Sequence, residues 1–131
     1  MKYFCGTDII EVERVQKAIL NTPGFKEKVF TPLEIEYAEK KKDVTKYQHY
    51  AGRFAAKEAV YKSISKINNE VFLNQIEILN DETNKNRPIV NILHPFFLEL
   101  TSRGLIELDV SISHIKDAAT ANAVCVLKED V

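Results

Sequence analysis

Tryptophan is absent, and glycine and proline occur only four times each in 131 residues. That scarcity excludes collagen-like repeats and Pro/Gly-rich low-complexity linkers. Cysteine is nearly as rare: Cys5 and Cys125 are the only two, too few for a disulfide scaffold and too far apart for a paired metal-ligand motif. Each lies in an apolar segment, so both are expected to be buried free thiols in a reducing compartment. No apolar run approaches the roughly 20 residues of a membrane-spanning helix, and the one in "MKYFCGTDII" is too short for a secretory signal. An excess of either charge is missing too: 18 Lys and Arg against 19 Asp and Glu leave a net charge of −1. Broad nucleic-acid binding needs a basic surplus, so any electrostatic recognition must be local. What is present, 45% hydrophobic and 28% charged residues, is enough for one core. Residues 1–131 are expected to form a single domain of a soluble, cytoplasmic protein.

Neither repeats nor low-complexity segments interrupt the chain, and periodicity divides it. Lys2 to Ile10 reads as a strand interrupted near Gly6. Val12, Val15, Ala18 and Ile19 fall at helical spacing within a helix over 11–20, which "NTPG" stops. In "FTPLEIEYAEKKK", Thr31 and Glu34 have capping-box spacing and Pro32 takes the first helical position. Lysines 40–42 close that helix where its dipole favours cations. A longer helix is expected from about Lys46 to Ile67. The period then changes: "NQIEIL" and "RPIVNIL" read as two strands joined by a polar loop, followed by a short helix over 96–102. "LIELDVSISHI" alternates apolar and polar residues like a strand with one wet face, whereas "AATANAVCVL" is apolar nearly throughout, as in a strand covered on both faces. The order predicts an α+β fold, a largely antiparallel sheet packed against the long helix.

One stretch of that helix, "GRFAAKEAVYKSIS", carries unusual charge. At about 100° per residue, Ala56, Ala59, Val60, Ser63 and Ile67 share one face, Glu58 and Lys62 another, and Arg53 and Lys57 a third. Glu58 and Lys62 have the spacing of an ordinary i,i+4 ion pair. They equally suit a phosphate site if a second carboxylate joins them. Asp8, in "GTDI" at a strand end, is the candidate, although a helix-capping role explains it as well. Asp8 and Glu58 together would suit Mg²⁺, which takes one or two protein carboxylates and completes its shell with water and substrate phosphate.

"GTDIIEVERV", "GRFAAKEAVYKSI" and "VSISHIKDAATANAV" occur in that order, and together they resemble the holo-acyl-carrier-protein synthases of the 4'-phosphopantetheinyl transferase superfamily. Gly6, Asp8, Phe54, Lys57, Glu58, Ala59 and Lys62 meet the superfamily pattern, and "FTPLE" is similar to its Phe-Thr-x-x-Glu. Thr7 and the glycine-free "NKNRP" depart from it. The resemblance implies the transferase fold and Mg²⁺-dependent transfer of 4'-phosphopantetheine from coenzyme A to a serine of apo acyl carrier protein. The products are the holo carrier, for fatty acid biosynthesis, and 3',5'-adenosine bisphosphate. It implies that Asp8 and Glu58 hold the metal and that Lys62 contacts phosphate. Either Glu58 or a water held by the carboxylates would take the serine proton.

It further implies a homotrimer with active sites at subunit boundaries. There Arg53, Arg87, Pro88, Ser113 and His114 would serve a neighbour's coenzyme A, while Arg14 and Lys17 would dock the acidic carrier. Strict alternation instead makes His114 a core residue, and Lys17 reads equally well as part of a solvated face. His49 and His94 have no partner at metal-ligand spacing and receive no role. Two other classes fit the same residues: a non-catalytic docking module, indifferent to Asp8, and a small metal-dependent phosphohydrolase reusing the carboxylates and lysine.

Overall fold

The structure, a computed structural model, describes residues 1–129. Strand β1 (Lys2–Glu11) leads directly into α1 (Val12–Asn21), and a left-handed Gly24, with φ of 81°, then opens the short helix α2 (Phe25–Val29). Helix α3 (Pro32–Glu39) begins as its sequence requires. The Thr31 hydroxyl accepts from the Glu34 amide, the Glu34 carboxylate accepts from the Thr31 amide, and Pro32 fills the first turn. Helix α4 (Asp43–Ile64) runs for 22 residues. A single 3-10 turn at Leu73–Gln75 precedes β2 (Ile76–Asp81) and β3 (Arg87–Ile92), after which α5 (Pro95–Ser102), β4 (Ile106–His114) and β5 (Ala118–Leu127) complete the order.

The strands form two antiparallel sheets rather than one: a three-stranded sheet in the order β1-β5-β4 and the separate hairpin β2-β3. Helix α4 lies across the larger sheet. Its Ala55, Ala56, Ala59, Val60 and Ile64 are fully buried and share a core with Val110, Ala121, Ala123 and Cys125. Small side chains let the helix approach closely, and Gly6 shows how closely: a Cβ there would stand 1.9 Å from the Ala59 carbonyl oxygen. No side chain fits, and this crossing lays the middle of β1 against the second half of α4. A second cluster, built on Val12, Val15, Phe30, Tyr50 and Ala51, packs α1 to α3 against the first half.

The α+β architecture agrees with the sequence, while several local expectations do not. β1 is unbroken at Gly6, because a strand tolerates glycine where another backbone comes close. α4 starts and ends about three residues early, leaving the half-buried Ile67 beyond its end. β5 is covered on one face only: its buried residues alternate with the exposed Asn122 and Val124. On that uncovered face Cys5 is exposed, and only Cys125 is buried. Alanine, serving equally well under a helix and in a strand interior, disguised the alternation.

Candidate functional site

The close crossing at Gly6 brings Asp8 to the exposed side of α4. Lys62 reaches over: its Nζ donates to the Thr7 carbonyl oxygen at 2.9 Å and stands 3.4 Å from Asp8 Oδ1. The backbone at Asp8 is clamped on the other side, where Thr120 Oγ1 donates to its carbonyl oxygen at 2.9 Å. Glu58 and Lys62 make no ion pair with each other; Asp8 takes the lysine instead. Among the described residues Glu58 has no ion-pair or hydrogen-bond partner. Burial foremost, and the Asp8 charge next, hold its carboxyl above the usual carboxylate range, with Lys62 opposing them. The result is two mutually repelling carboxylates and one ammonium at a half-sheltered surface. No group of three or more potential ligands among His, Cys, Asp and Glu occurs among the described residues, so a cation here would keep most of its shell for water and substrate.

Arg53 belongs to another place. The residue is 7% exposed, its guanidinium donates to the Asn80 side-chain oxygen, and Asn80 in turn donates to the Asn86 carbonyl oxygen at 3.3 Å. Together with Tyr37, His49, Ile78 and Leu79, these two line a cleft of about 230 Å³ that includes none of Asp8, Glu58 and Lys62. Pro88 faces Asn80 across the β2-β3 ladder. Arg87, one residue earlier, turns instead towards β4, with its guanidinium 3.7 Å from Asp109. Ser113 and His114 end β4 exposed, bordering a small apolar depression with Ile9 and Ile115. His114 is thus not a core residue: the strand finishes before alternation can bury it. On α1 both basic candidates are exposed, but Lys17 is engaged by Glu13 at 2.8 Å, which leaves Arg14 as the one of the two without an ion-pair partner among the described residues.

Lys57 received no role from sequence, yet it is the anchor of a buried network. Its ammonium, 0% exposed, stands 2.6 Å from Glu34 Oε1 and donates to the Leu73 carbonyl oxygen at 2.9 Å and to that of Ile76. Glu34 Oε2 accepts from the Ile78 amide at 2.8 Å, and the Thr31 hydroxyl donates to Glu77 at 2.7 Å. Burial pulls the lysine's pKa down while Glu34 pulls it up. One carboxylate therefore caps α3, pairs with α4 and holds β2. The signal was available in the "FTPLE" capping box, whose glutamate had an oxygen to spare.

The family model for the 4'-phosphopantetheinyl transferase superfamily matches residues 4–123. The chain belongs to the 4'-phosphopantetheinyl transferase superfamily. Among its relatives in this superfamily is a holo-(acyl-carrier-protein) synthase of Ruminiclostridium cellulolyticum, 45% identical over 126 residues, with 95% of this chain and 92% of the relative covered. One of Fusobacterium nucleatum is 40% identical, with 91% and 94% covered. The fold agrees as well. The ACPS-CoA complex of Chronobacterium ammoniagenes superposes with a TM-score of 0.81 at 27% identity, over 98% of this chain and all of that one. A Bacillus anthracis holo-(acyl-carrier-protein) synthase in complex with CoA (3',5'-ADP) gives 0.76 at 32% identity, over 95% and 96%. The superfamily match spans both places on α4, the carboxylate pair and the Arg53 cleft.

Proposed function

We propose that the protein transfers 4'-phosphopantetheine from coenzyme A to a serine hydroxyl of apo acyl carrier protein, in the cytoplasm and in the service of fatty acid biosynthesis. The observation that carries this reading is the meeting of Asp8, Glu58 and Lys62 across the Gly6 crossing. The transfer forms one bond, from serine oxygen to the phosphorus that bears pantetheine, and breaks that phosphorus's bond to the bridging pyrophosphate oxygen. 3',5'-Adenosine bisphosphate leaves with the bond's electrons. Such a reaction needs positioning and charge neutralisation more than covalent help.

Lys62 supplies a cation for a phosphate oxygen and is held in place by Thr7 and Asp8. The serine proton needs an acceptor, which is either Glu58 or a water held by the carboxylates of Asp8 and Glu58. Mg²⁺ fits the donor set: two carboxylates disfavour each other's charge, and an ion of this kind asks for no more than two from the protein. Asp8 and Glu58 would hold it, and when bound it supplies neutralisation of the pyrophosphate charge.

The coenzyme would reach past this site to the Arg53 cleft of a neighbouring subunit in a homotrimer, with Pro88 beside the adenosine and Ser113 and His114 near the nucleotide phosphates. Arg87 fits that role less well, since it faces Asp109. Arg14 would meet the acidic carrier, with Lys17 contributing only once freed from Glu13.

Mass spectrometry tests the reading. Purified protein with Mg²⁺, coenzyme A and apo carrier should yield a carrier heavier by one phosphopantetheine, and Asp8→Asn and Glu58→Gln should each abolish the gain while keeping the fold. An unmodified carrier under conditions where a known transferase works would sink the proposal, and hydrolysis of coenzyme A without transfer would favour a phosphohydrolase.

A further inference from the structure

Asp8 must hold its carboxylate steady where the backbone is least constrained. β1 is an edge strand, hydrogen-bonded to β5 on one side only. Two residues before Asp8 stands Gly6, which the close crossing of α4 requires and which offers no side chain to pack.

Two hydroxyls offset that looseness. In the pairing of β1 with β5, Asp8 faces Ala121. Thr7 Oγ1 donates to the Ala121 carbonyl oxygen at 3.2 Å, and Thr120 Oγ1 donates to the Asp8 carbonyl oxygen at 2.9 Å. One threonine from each strand therefore braces the same residue pair. Side chains alternate along a strand, so both threonines lie on the outer face of the sheet, behind a carboxylate that faces Lys62 of α4. Lys62 adds a third bond, from its Nζ to the Thr7 carbonyl oxygen at 2.9 Å. The carbonyls of residues 7 and 8 belong to the two peptide planes that meet at the Asp8 Cα. Lys62 holds one and Thr120 the other, and fixing both planes fixes the direction of the Asp8 Cα–Cβ bond. Threonine suits a strand by its branched shape alone, but valine would supply that shape equally well. The hydroxyls are what distinguish these positions, and both converge on Asp8 and its partner.

We propose that Thr120, with Thr7 beside it, is a positioning residue for the reaction: its hydroxyl holds the Asp8 backbone so that the carboxylate meets Glu58 and a divalent cation without rearrangement. Sites of this kind need their groups held to within about 0.5 Å by a supporting layer of hydrogen bonds. The proposal rests on the transferase reading, which gives Asp8 its metal.

Calorimetric titration of Mg²⁺ into the protein saturated with coenzyme A, together with the Mg²⁺ dependence of turnover, tests it. Thr120→Val keeps the branched shape and removes the hydroxyl. It is expected to raise the Mg²⁺ dissociation constant and the half-saturating Mg²⁺ concentration together by roughly tenfold, the low end of what losing an outer hydrogen bond costs a metal site. At saturating Mg²⁺, kcat should stay within about twofold of wild type, as expected when binding rather than the chemical step is affected. Thr120→Ser restores the hydroxyl and should return most of the lost affinity. Thr7→Val removes the brace on the other strand, should shift Mg²⁺ affinity in the same direction, and decides the matter if Thr120→Val does not fold. A lower kcat with unchanged Mg²⁺ affinity overturns the proposal, as does wild-type affinity in the valine variants, a loss that serine fails to restore, or a wild type that works without divalent cation. In each of those cases the wild type still modifies the carrier, and the transferase reading stands. A wild type that neither binds coenzyme A nor modifies the carrier overturns that reading, and the inference falls with it.

Discussion

Glu58 shows at the scale of one residue what a sheltered carboxylate beside a second one costs. Burial and Asp8 both disfavour its ionised form, so its folded-state pKa lies above that of the unfolded chain. The folded state then holds the proton more tightly, and above the folded pKa the ionised carboxylate costs stability; the cost vanishes as pH falls through that pKa. Glu58→Gln is accordingly expected to stabilise the metal-free protein. The side chain is only half sheltered, so screening keeps the gain modest, on the order of 0.5–1 kcal/mol or about 2–4 °C in melting temperature at pH 7.5. Thermal melts without divalent cation check this. The gain should shrink towards pH 4, and an unchanged or lowered melting temperature at pH 7.5 would contradict the repulsion between the two carboxylates. Gly6 makes the complementary contribution: with no room for a Cβ against Ala59, it sets how near Asp8 can come.

Among the elements, α4 divides the chemistry. Glu58 and Lys62 look towards β1, whereas Arg53 and Lys57 look towards β2, where Glu34 joins α3, α4 and the hairpin into one unit. Removing one partner of a buried ion pair strands the other charge, at about 3–5 kcal/mol. Lys57→Met should therefore lower the melting temperature by roughly 10–20 °C. Adding Glu34→Gln should return part of that loss, because the stranded charge goes while one acceptor for the Thr31 or Ile78 amide remains. If Lys57→Met melts like the wild type, the pair does not bind these elements together.

The same division explains what sequence could disclose. The α3 cap, the long helix, the α+β class and the candidate grouping of Asp8 with Glu58 and Lys62 were legible, since each rests on local spacing or on a motif. The Lys57 network was not, because helical angle places a side chain on a face without saying what covers that face. The ordinary Glu58–Lys62 pairing failed for a related reason: i,i+4 spacing makes a pair possible, and a carboxylate 54 positions away claimed the lysine. Splitting of the strands into two sheets and the wet face of β5 depend on long-range pairing that apolar composition does not encode.

In the molecule as a whole, the residues assigned to one reaction occupy two places. The cleft at Arg53 has no lining residue in common with the carboxylates of Asp8 and Glu58, and the outer face of the large sheet leaves Tyr3 and Ile9 about 70% exposed. Both facts fit a ring of copies in which one subunit offers the carboxylates and the next the cleft, the closed cyclic arrangement that such heterologous contacts favour. The proposed trimer then makes a prediction that an isolated chain cannot meet. Asp8→Asn and Arg53→Ala should each lose most activity alone. In trimers reassembled from an equal mixture, a site is intact only where the Asp8 side comes from an Arg53→Ala chain and the cleft from an Asp8→Asn chain. Random assortment around a closed ring makes that about one site in four, so the mixture should regain roughly a quarter of wild-type turnover after co-refolding and little when the variants are mixed without subunit exchange. If the co-refolded mixture stays as inactive as its parents while forming trimers, each chain completes its own site, and Arg53 serves the carboxylates of the same subunit.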